Sequence, residues 1–452
     1  MAQISASKSI CQGTFKELIK LYTPIFFIIF PSAFFIFFQN RFFAHISSEI
    51  VGAAVNVTYI CRIFQLPCIL LAMMAQVYVG RAYGAQDWKS IGPIVWQFIW
   101  FSVLSMIITV PGGLIYGHYY LGDTAIELAA KPYFHALVAM NFIFPLGAAL
   151  SCFFIGRGYT RWVLICKLGS ELLTFILAYF LILGNSWIPP LGLKGGAISL
   201  FVGNAVFCIL LLIFFLHQRN NDEYNTRTWK FKPKLFWESI QPGLLRGLSG
   251  VVNFASWSAT ARLMTVLGGD YLSVLSIGGL IFLFLSCFGD ALCQSMTTSL
   301  SQIIGAKKYE LIIKAFRSGI MLALVLIVLI GIPLLLFSTQ LCHFISPTIL
   351  IDGVQKIFFG LWVSLAFFIF GYIPLSLVLA LKDTKFILFT GAMHWVYGYG
   401  LMYVAIRMVG IAAQNFWLVL GIMHCITLLI YSLRARNHVK NLRLESLIPI
   451  QS

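Results

Sequence analysis

The sequence predicts an all-α integral membrane protein of twelve transmembrane helices, arranged as two parallel-repeat six-helix lobes. Three observations predict it. Hydrophobic residues make up 60% of the 452-residue chain and charged residues only 10%, where a soluble domain carries about 25% charge. Twelve apolar runs are long enough to cross a bilayer, which takes about 20 residues of helix. The pattern also repeats at half its length: Phe15-Lys16-Glu17-Leu18-Ile19 returns as Phe236-Trp237-Glu238-Ser239-Ile240, 221 residues later. At that offset Arg41 meets Arg262, Glu49 meets Asp270, and Gly84-Ala85 meets Gly305-Ala306. The apolar runs are continuous rather than alternating, which argues against a membrane barrel. A duplicated unit in so apolar a chain points to a transporter.

The predicted spans are 17–40, 50–79, 91–117, 132–156, 162–184, 193–217, 237–266, 271–303, 311–338, 353–381, 385–407 and 412–433. The first follows Lys8, Lys16 and Lys20 but is long and leads straight into a second, so it reads as a span and not as a cleaved signal. Pro24 and Pro31 leave backbone carbonyls unpaired in span 1 and permit bending there. The polar stretch between spans 6 and 7 marks a linker. The expected organisation is an N-terminal lobe 1–217, a cytoplasmic linker 218–234, a C-terminal lobe 235–434 and a basic tail 435–452. Six spans per lobe make the two repeats enter the membrane in the same direction.

Charge sets the orientation. The odd-numbered gaps hold six cations, Arg41, Lys131, Lys194, Arg262, Lys356 and Arg407, against 23 in the termini and even-numbered gaps. Cytoplasmic loops carry the excess of Lys and Arg, so both termini are expected in the cytoplasm. The net charge of +16 is scattered in these short clusters and forms no basic face for nucleic acid. None of the ten cysteines has a metal-type spacing, and they read as packing residues. No cofactor is expected. Gly247-Leu248-Ser249-Gly250 matches a short serine-protease pattern, but a duplicated twelve-span body is not that architecture, so the chain is not read as an enzyme.

Polar groups inside spans are functional candidates, because a charge at a helix centre costs about 2.5–3.5 kcal/mol on insertion scales. Asp290 stands out, 15 residues before Gly305. Ser286, Asp290, Gln294, Thr297 and Ser301 recur at helical spacing and share one face of span 8. Gly289 beside the acid is expected to let the helix bend. Asp290 reads as a protonatable or cation-binding carboxylate, or as an acid paired for packing. Arg246, Gly250, Asn253, Trp257 and Thr260 form a similar face on span 7, and Thr58, Arg62 and Gln65 on span 2. Either arginine is a candidate partner for Asp290. Glu171 stands four residues after Lys167, the spacing of an ordinary helical ion pair. His394, Trp395, Tyr397 and Tyr399 crowd span 11, and aromatics of this kind stack on flat or cationic ligands.

Four segments resemble the multidrug and toxic compound extrusion (MATE) transporters. They are the basic-amphipathic start 15–24 ending in Pro24, the Gly-Ala turns at 79–85 and 300–306, the turn Gly158-Tyr159-Thr160-Arg161 with its counterpart Leu381-Lys382-Asp383-Thr384-Lys385, and Pro190 to Ala197 entering span 6. The resemblance implies two six-helix lobes around a central cleft. It implies export of organic, often cationic small molecules in exchange for H+ or Na+, by a monomer in the plasma or inner membrane. It also draws attention to Gln39 and Asn40, which stand where such proteins often place an acid at the outer end of span 1. Asn253 and, approximately, Phe368 stand where sodium-type members carry acids. With those acids missing, Asp290 is the remaining deep carboxylate. A lipid-linked saccharide flippase of the same superfamily is the alternative, favoured by Arg62 and Arg246.

Overall fold

The computed structural model describes residues 10–120, 125–185, 187, 189–345 and 353–447. Lys8 and the last five residues of the predicted tail lie outside them. No strand occurs among the described residues. The helices of the first repeat are α1 (Phe15–Ala44), α2 (Ser48–Ala72), α3 (Ala75–Gly84), α4 (Trp88–Leu104), α5 (Met106–Tyr120), α6 (Ala125–Ala139), α7 (Ile143–Ile155), α8 (Thr160–Leu183) and α9 (Leu193–Leu216). The short α10 (Gln218–Tyr224) follows. The second repeat comprises α11 (Pro233–Leu267), α12 (Gly269–Gly305), α13 (Leu311–Leu336), α14 (Ser338–Ile345), α15 (Val354–Ala380), α16 (Thr384–His394), α17 (Leu401–Tyr403) and α18 (Phe416–Leu447). Each predicted span is helical, and ten helical stretches among the described residues are long and apolar enough to cross a membrane. The other two predicted spans are α11, which carries Glu238, Arg246 and Arg262, and the run 384–408. That run is interrupted by π-helical turns at Trp395–Gly400 and Val404–Met408.

The chain forms two compact units that do not follow the sequence boundary between the lobes. One holds Phe27–Val79 and Asp87–Val251, the other the chain up to Phe26, Gly80–Gln86 and everything from Val252 on. The first unit has a core of Phe43, Val57, Phe134, Leu137, Ala178 and Ile182. The second packs Met264, Val274, Phe358, Leu361, Phe416 and Trp417. Helices α1 and α11 therefore each belong partly to both units, changing over at residues 26–27 and 251–252. Helix α1 is continuous through both prolines.

The predicted linker is strapped to the first unit. Trp96 Nε1 donates to Thr226 O at 2.6 Å, Trp100 Nε1 to Trp229 O at 2.9 Å, and Gln97 Nε2 to Lys230 O at 3.3 Å, all from α4. The Arg157 guanidinium lies 3.7 Å from the Phe153 ring and 4.3 Å from the Tyr224 ring, clamping α10. The predicted basic tail is likewise not separate: α18 continues as one helix from the apolar span through Arg434 to Arg443.

The repeat is written in the backbone. Gln86 and Lys307, which are 221 residues apart, both take left-handed φ, of 60° and 56°. Gly158 (φ 83°) and Lys382 (φ 61°) do the same at the other pair of turns. At 158 and 382 the helix closes with the same two bonds: Tyr159 N to Phe154 O and Gly158 N to Ile155 O, then Asp383 N to Val378 O and Lys382 N to Leu379 O. This paired closure with a left-handed residue is the usual helix C-terminal motif. Gly84 and Gly305 sit against each other's helix. A Cβ on Gly84 would lie 2.0 Å from Gln302 O, and one on Gly305 2.1 Å from Arg81 O.

Around the Lys382 turn, Arg81 Nε donates to Ala380 O at 2.8 Å. The Asp383 carboxylate accepts from Arg434 Nε at 2.7 Å and His438 Nε2 at 2.8 Å. Burial alone would raise the Asp383 carboxyl, but the bonds from Arg434 and His438 outweigh it and hold it below its ordinary range. Burial, aided by the like charge of Arg81, pulls the Lys382 ammonium from 10.5 down to about 7.

Two outcomes follow. Gly305→Ala forces backbone apart and lowers stability by about 1–3 kcal/mol or more, whereas Gly279→Ala, whose Cβ would meet nothing, leaves the thermal unfolding midpoint in detergent unchanged. Lys382 favours its neutral form in the fold, so its penalty is full below about pH 7 and is relieved as pH rises toward 10.5. Lys382→Met therefore raises stability at pH 7 and flattens the rise of unfolding temperature between those values.

Candidate functional site

Asp290 lies on α12, four helical turns before the Gly305 crossing. Its carboxylate is held by a tyrosine of its own unit: Tyr372 Oη donates to Asp290 Oδ1 at 2.6 Å. The partner that the structure gives the acid is thus a tyrosine hydroxyl, where the sequence offered Arg62 or Arg246 as candidates. Arg246 belongs to the other unit and places Nη1 3.6 Å from Met74 Sδ. Arg62 is half-buried in α2. Gly289 lies inside a helix, α12, that is continuous from Gly269 to Gly305. Its role is clearance: a Cβ there would lie 2.9 Å from Tyr372 Cδ2. The missing side chain is what lets the tyrosine ring cross α12 to reach the acid.

The remaining members of the predicted face are split by burial. Ser286 caps back onto Leu283 O at 2.8 Å and Gln294 is half-buried beside Asp290. Thr297 and Ser301 are buried, with no hydrogen bond to either hydroxyl among the described residues. Asn253 is exposed. In the first unit, Lys167 Nζ lies 2.6 Å from Glu171 Oε1, and Ser32 Oγ donates to the same oxygen at 2.7 Å. Both members of that ion pair are only 14% exposed, and it ties α1 to α8. Gln39 is buried and its Nε2 donates to Gly196 O at 3.4 Å; Asn40 is half-buried. The predicted residues therefore fall into two groups, with Ser286, Asp290, Gln294 and Asn253 in one unit and Gln39, Asn40, Arg62, Glu171 and Arg246 in the other.

The first unit also has a cavity of about 610 Å³ between α5 and α6, lined by Val110, Leu114, Phe134, His118, Lys131 and His135 among others. None of the predicted site residues lines it. Among the described residues no group of three or more His, Cys, Asp or Glu is placed to hold a metal ion, and all ten cysteines are free.

Sequence reasoning missed Tyr372 and the histidines' partners. The Tyr372 ring lies 4.7 Å from Phe368, which lies 5.2 Å from the His424 ring. His424 Nδ1 is 3.0 Å from Ser364 Oγ and 3.1 Å from Ser364 O. His394 Nδ1 is 3.2 Å from Ser256 Oγ. Nothing in the spacing of Tyr372 to Asp290 announces the bond.

A family model described as MatE matches residues 24–180 and 250–404. A probable multidrug resistance protein NorM of Thermotoga maritima is 23% identical over 306 residues, covering 65% of this chain and 64% of the relative. The chain thus spans just under two thirds of that relative's length. An outward-facing multidrug resistance MATE family transporter of the MOP superfamily superposes with a TM-score of 0.82 at 14% identity, over 95% of this chain and 96% of the other. A MOP superfamily transporter from Pyrococcus furiosus, for which a binding pocket of reverse polarity suggests a different function, gives 0.80 at 15% identity over 95% and 96%. The latter two likenesses establish the fold.

Replacing Tyr372 with Phe removes the bond to Asp290. A hydrogen bond to a charged group contributes about 1.5–3 kcal/mol, so Tyr372→Phe lowers the thermal unfolding midpoint, and Gly289→Ala, which displaces the same ring, lowers it likewise.

Proposed function

The chain belongs to the multidrug and toxic compound extrusion (MATE) family of transporters, and from that premise we propose that it exports organic, often cationic compounds by antiport with H+ or Na+. In this reading two lobes alternate access across the membrane, with both termini on the cytoplasmic side as the cation bias favours. The single observation that carries the coupling is the Asp290 carboxylate, half-buried in a membrane helix and supported by one tyrosine hydroxyl. A lone acid so placed is stabilised by any one cation that joins it: a proton, a sodium ion or an organic cation. Occupancy by one excludes another, which is what exchange requires. The bound ion then biases which lobe arrangement is favoured, because a ligand shifts a conformational equilibrium only through its different affinity for the two states.

The test is reconstitution into liposomes with an imposed pH or sodium gradient and a fluorescent organic cation. One gradient drives dye movement in the wild type, and Asp290→Asn slows it at least tenfold. If neither gradient drives transport and Asp290→Asn behaves as wild type, the antiport reading fails. Movement of a labelled lipid-linked saccharide by the same vesicles then supports the flippase alternative, with Arg62 and Arg246 as its cationic groups.

A further inference from the structure

Helix α18 runs from Phe416 to Leu447, well past the length that crosses a bilayer. Counted from Phe416, about 20 residues of helix span the hydrocarbon core, which brings the chain to Arg436. The turns around and beyond that point carry Arg434, Arg436, His438, Lys440 and Arg443. The helix sorts these basic side chains onto two faces.

One face is turned inward. Leu420, Met423, Tyr431 and Ala435 are buried. At the same helical spacing Arg434 and His438 meet the Asp383 carboxylate, at the cap of α16. The Arg434 guanidinium also lies 4.9 Å from the Phe386 ring. These contacts fix the rotation of α18 about its own axis. At about 100° per residue, the opposite face runs through Ile422, Leu429 and Leu433 and then through Arg436, Lys440 and Arg443. The three apolar side chains are 54%, 57% and 63% exposed, and the three cations are exposed as well. No Asp or Glu occurs between Phe416 and Leu444.

A bare apolar stripe on a membrane helix has acyl chains for its neighbour. Here that stripe continues without a break into a row of cations. The excess of Lys and Arg in cytoplasmic loops accounts for the number of such charges, but not for their sorting by face. Direction matters too. Cα–Cβ bonds tilt toward the N-terminus of a helix, which for α18 is the membrane side. The three cations cover about 10 Å of helix axis, and a headgroup layer is about 5–7 Å thick. Side chains that lean back along the helix bring their charges to headgroup depth, with their methylene stems along the apolar stripe.

We propose that the face made by Arg436, Lys440 and Arg443 is a docking site for anionic phospholipid, binding lipid phosphates of the leaflet on which Asp383 lies, the cytoplasmic one in the orientation above. Basic segments beside a span are drawn to an anionic leaflet. Asp383 keeps Arg434 and His438 out of that contact and so sets which face of the helix does the binding.

The test is photo-cross-linking in phosphatidylcholine proteoliposomes that contain a small fraction of photoactivatable phosphatidylglycerol or, separately, photoactivatable phosphatidylcholine. In the wild type the phosphatidylglycerol probe labels the peptide 433–444 at least about fivefold more than the phosphatidylcholine probe, the attraction of a single cation near the surface. Equal labelling by the two probes overturns the site. Arg436→Gln/Lys440→Gln/Arg443→Gln lowers the ratio at least about threefold, and a smaller fall overturns the assignment to this face. Lys308→Gln/Lys314→Gln/Arg317→Gln removes the same charge from exposed positions elsewhere in the second unit and leaves the ratio as in the wild type. If it lowers the ratio equally, net charge and not this face selects the lipid, and the proposal fails. Excess soluble glycerol phosphate leaves the labelling in place; displacement makes this a site for free phosphate and overturns the lipid. The two wild-type comparisons decide the matter even where the triple variant folds poorly. No arm requires transport, so the outcome is independent of the antiport test.

Discussion

The close approach of Gly84 and Gly305 governs the second unit. Each glycine presses a bare Cα against a carbonyl of the other's helix, with no room for a methyl group on either side. Interiors pack to crystal-like density, so such a crossing has one register. Other elements are fixed at the same place. Arg81 reaches from α3 to the last carbonyl of α15, and Gln302 accepts from Cys11 N ahead of α1. Ser318 on α13 donates to Gly13 O. The helix ends that carry Asp290 and Tyr372 are thereby held at one point, and the tyrosine–carboxylate bond is the consequence further along the same helices.

Much of this was legible because glycine is read from spacing. Two Gly-Ala pairs at a constant offset announce equivalent turns, and the left-handed residues at Gln86 and Lys307 fall where that repeat puts them. The spans were legible for the same reason: continuous apolar runs have one stable fate in a bilayer. What was not legible depends on tertiary approach. At Gly289 the sequence shows only a missing side chain. The reason it is missing, a ring from a helix eighty residues away, is visible only in three dimensions. Polarity marks the linker in the sequence, but that its backbone carbonyls are held by Trp96, Gln97 and Trp100 of α4 shows only in the fold. The changeover of α1 and α11 between the two units, at 26–27 and 251–252, is likewise set by tertiary packing and not by any boundary in the run of residues.

The repeat also makes plain where the two copies part. The residue 221 before Asp290 is Ile69, an aliphatic side chain in an aliphatic helix. The acid, its tyrosine and both serine-held histidines all lie in the second unit. Two charges of the first unit are tied down differently: Glu171 is occupied by Lys167 and Ser32, and Arg157 is enclosed by aromatic rings. Glu171 thus meets an ammonium group as well as a hydroxyl, where Asp290 meets a tyrosine hydroxyl, and an acid beside a cation has its charge balanced in a way that one beside a neutral donor does not.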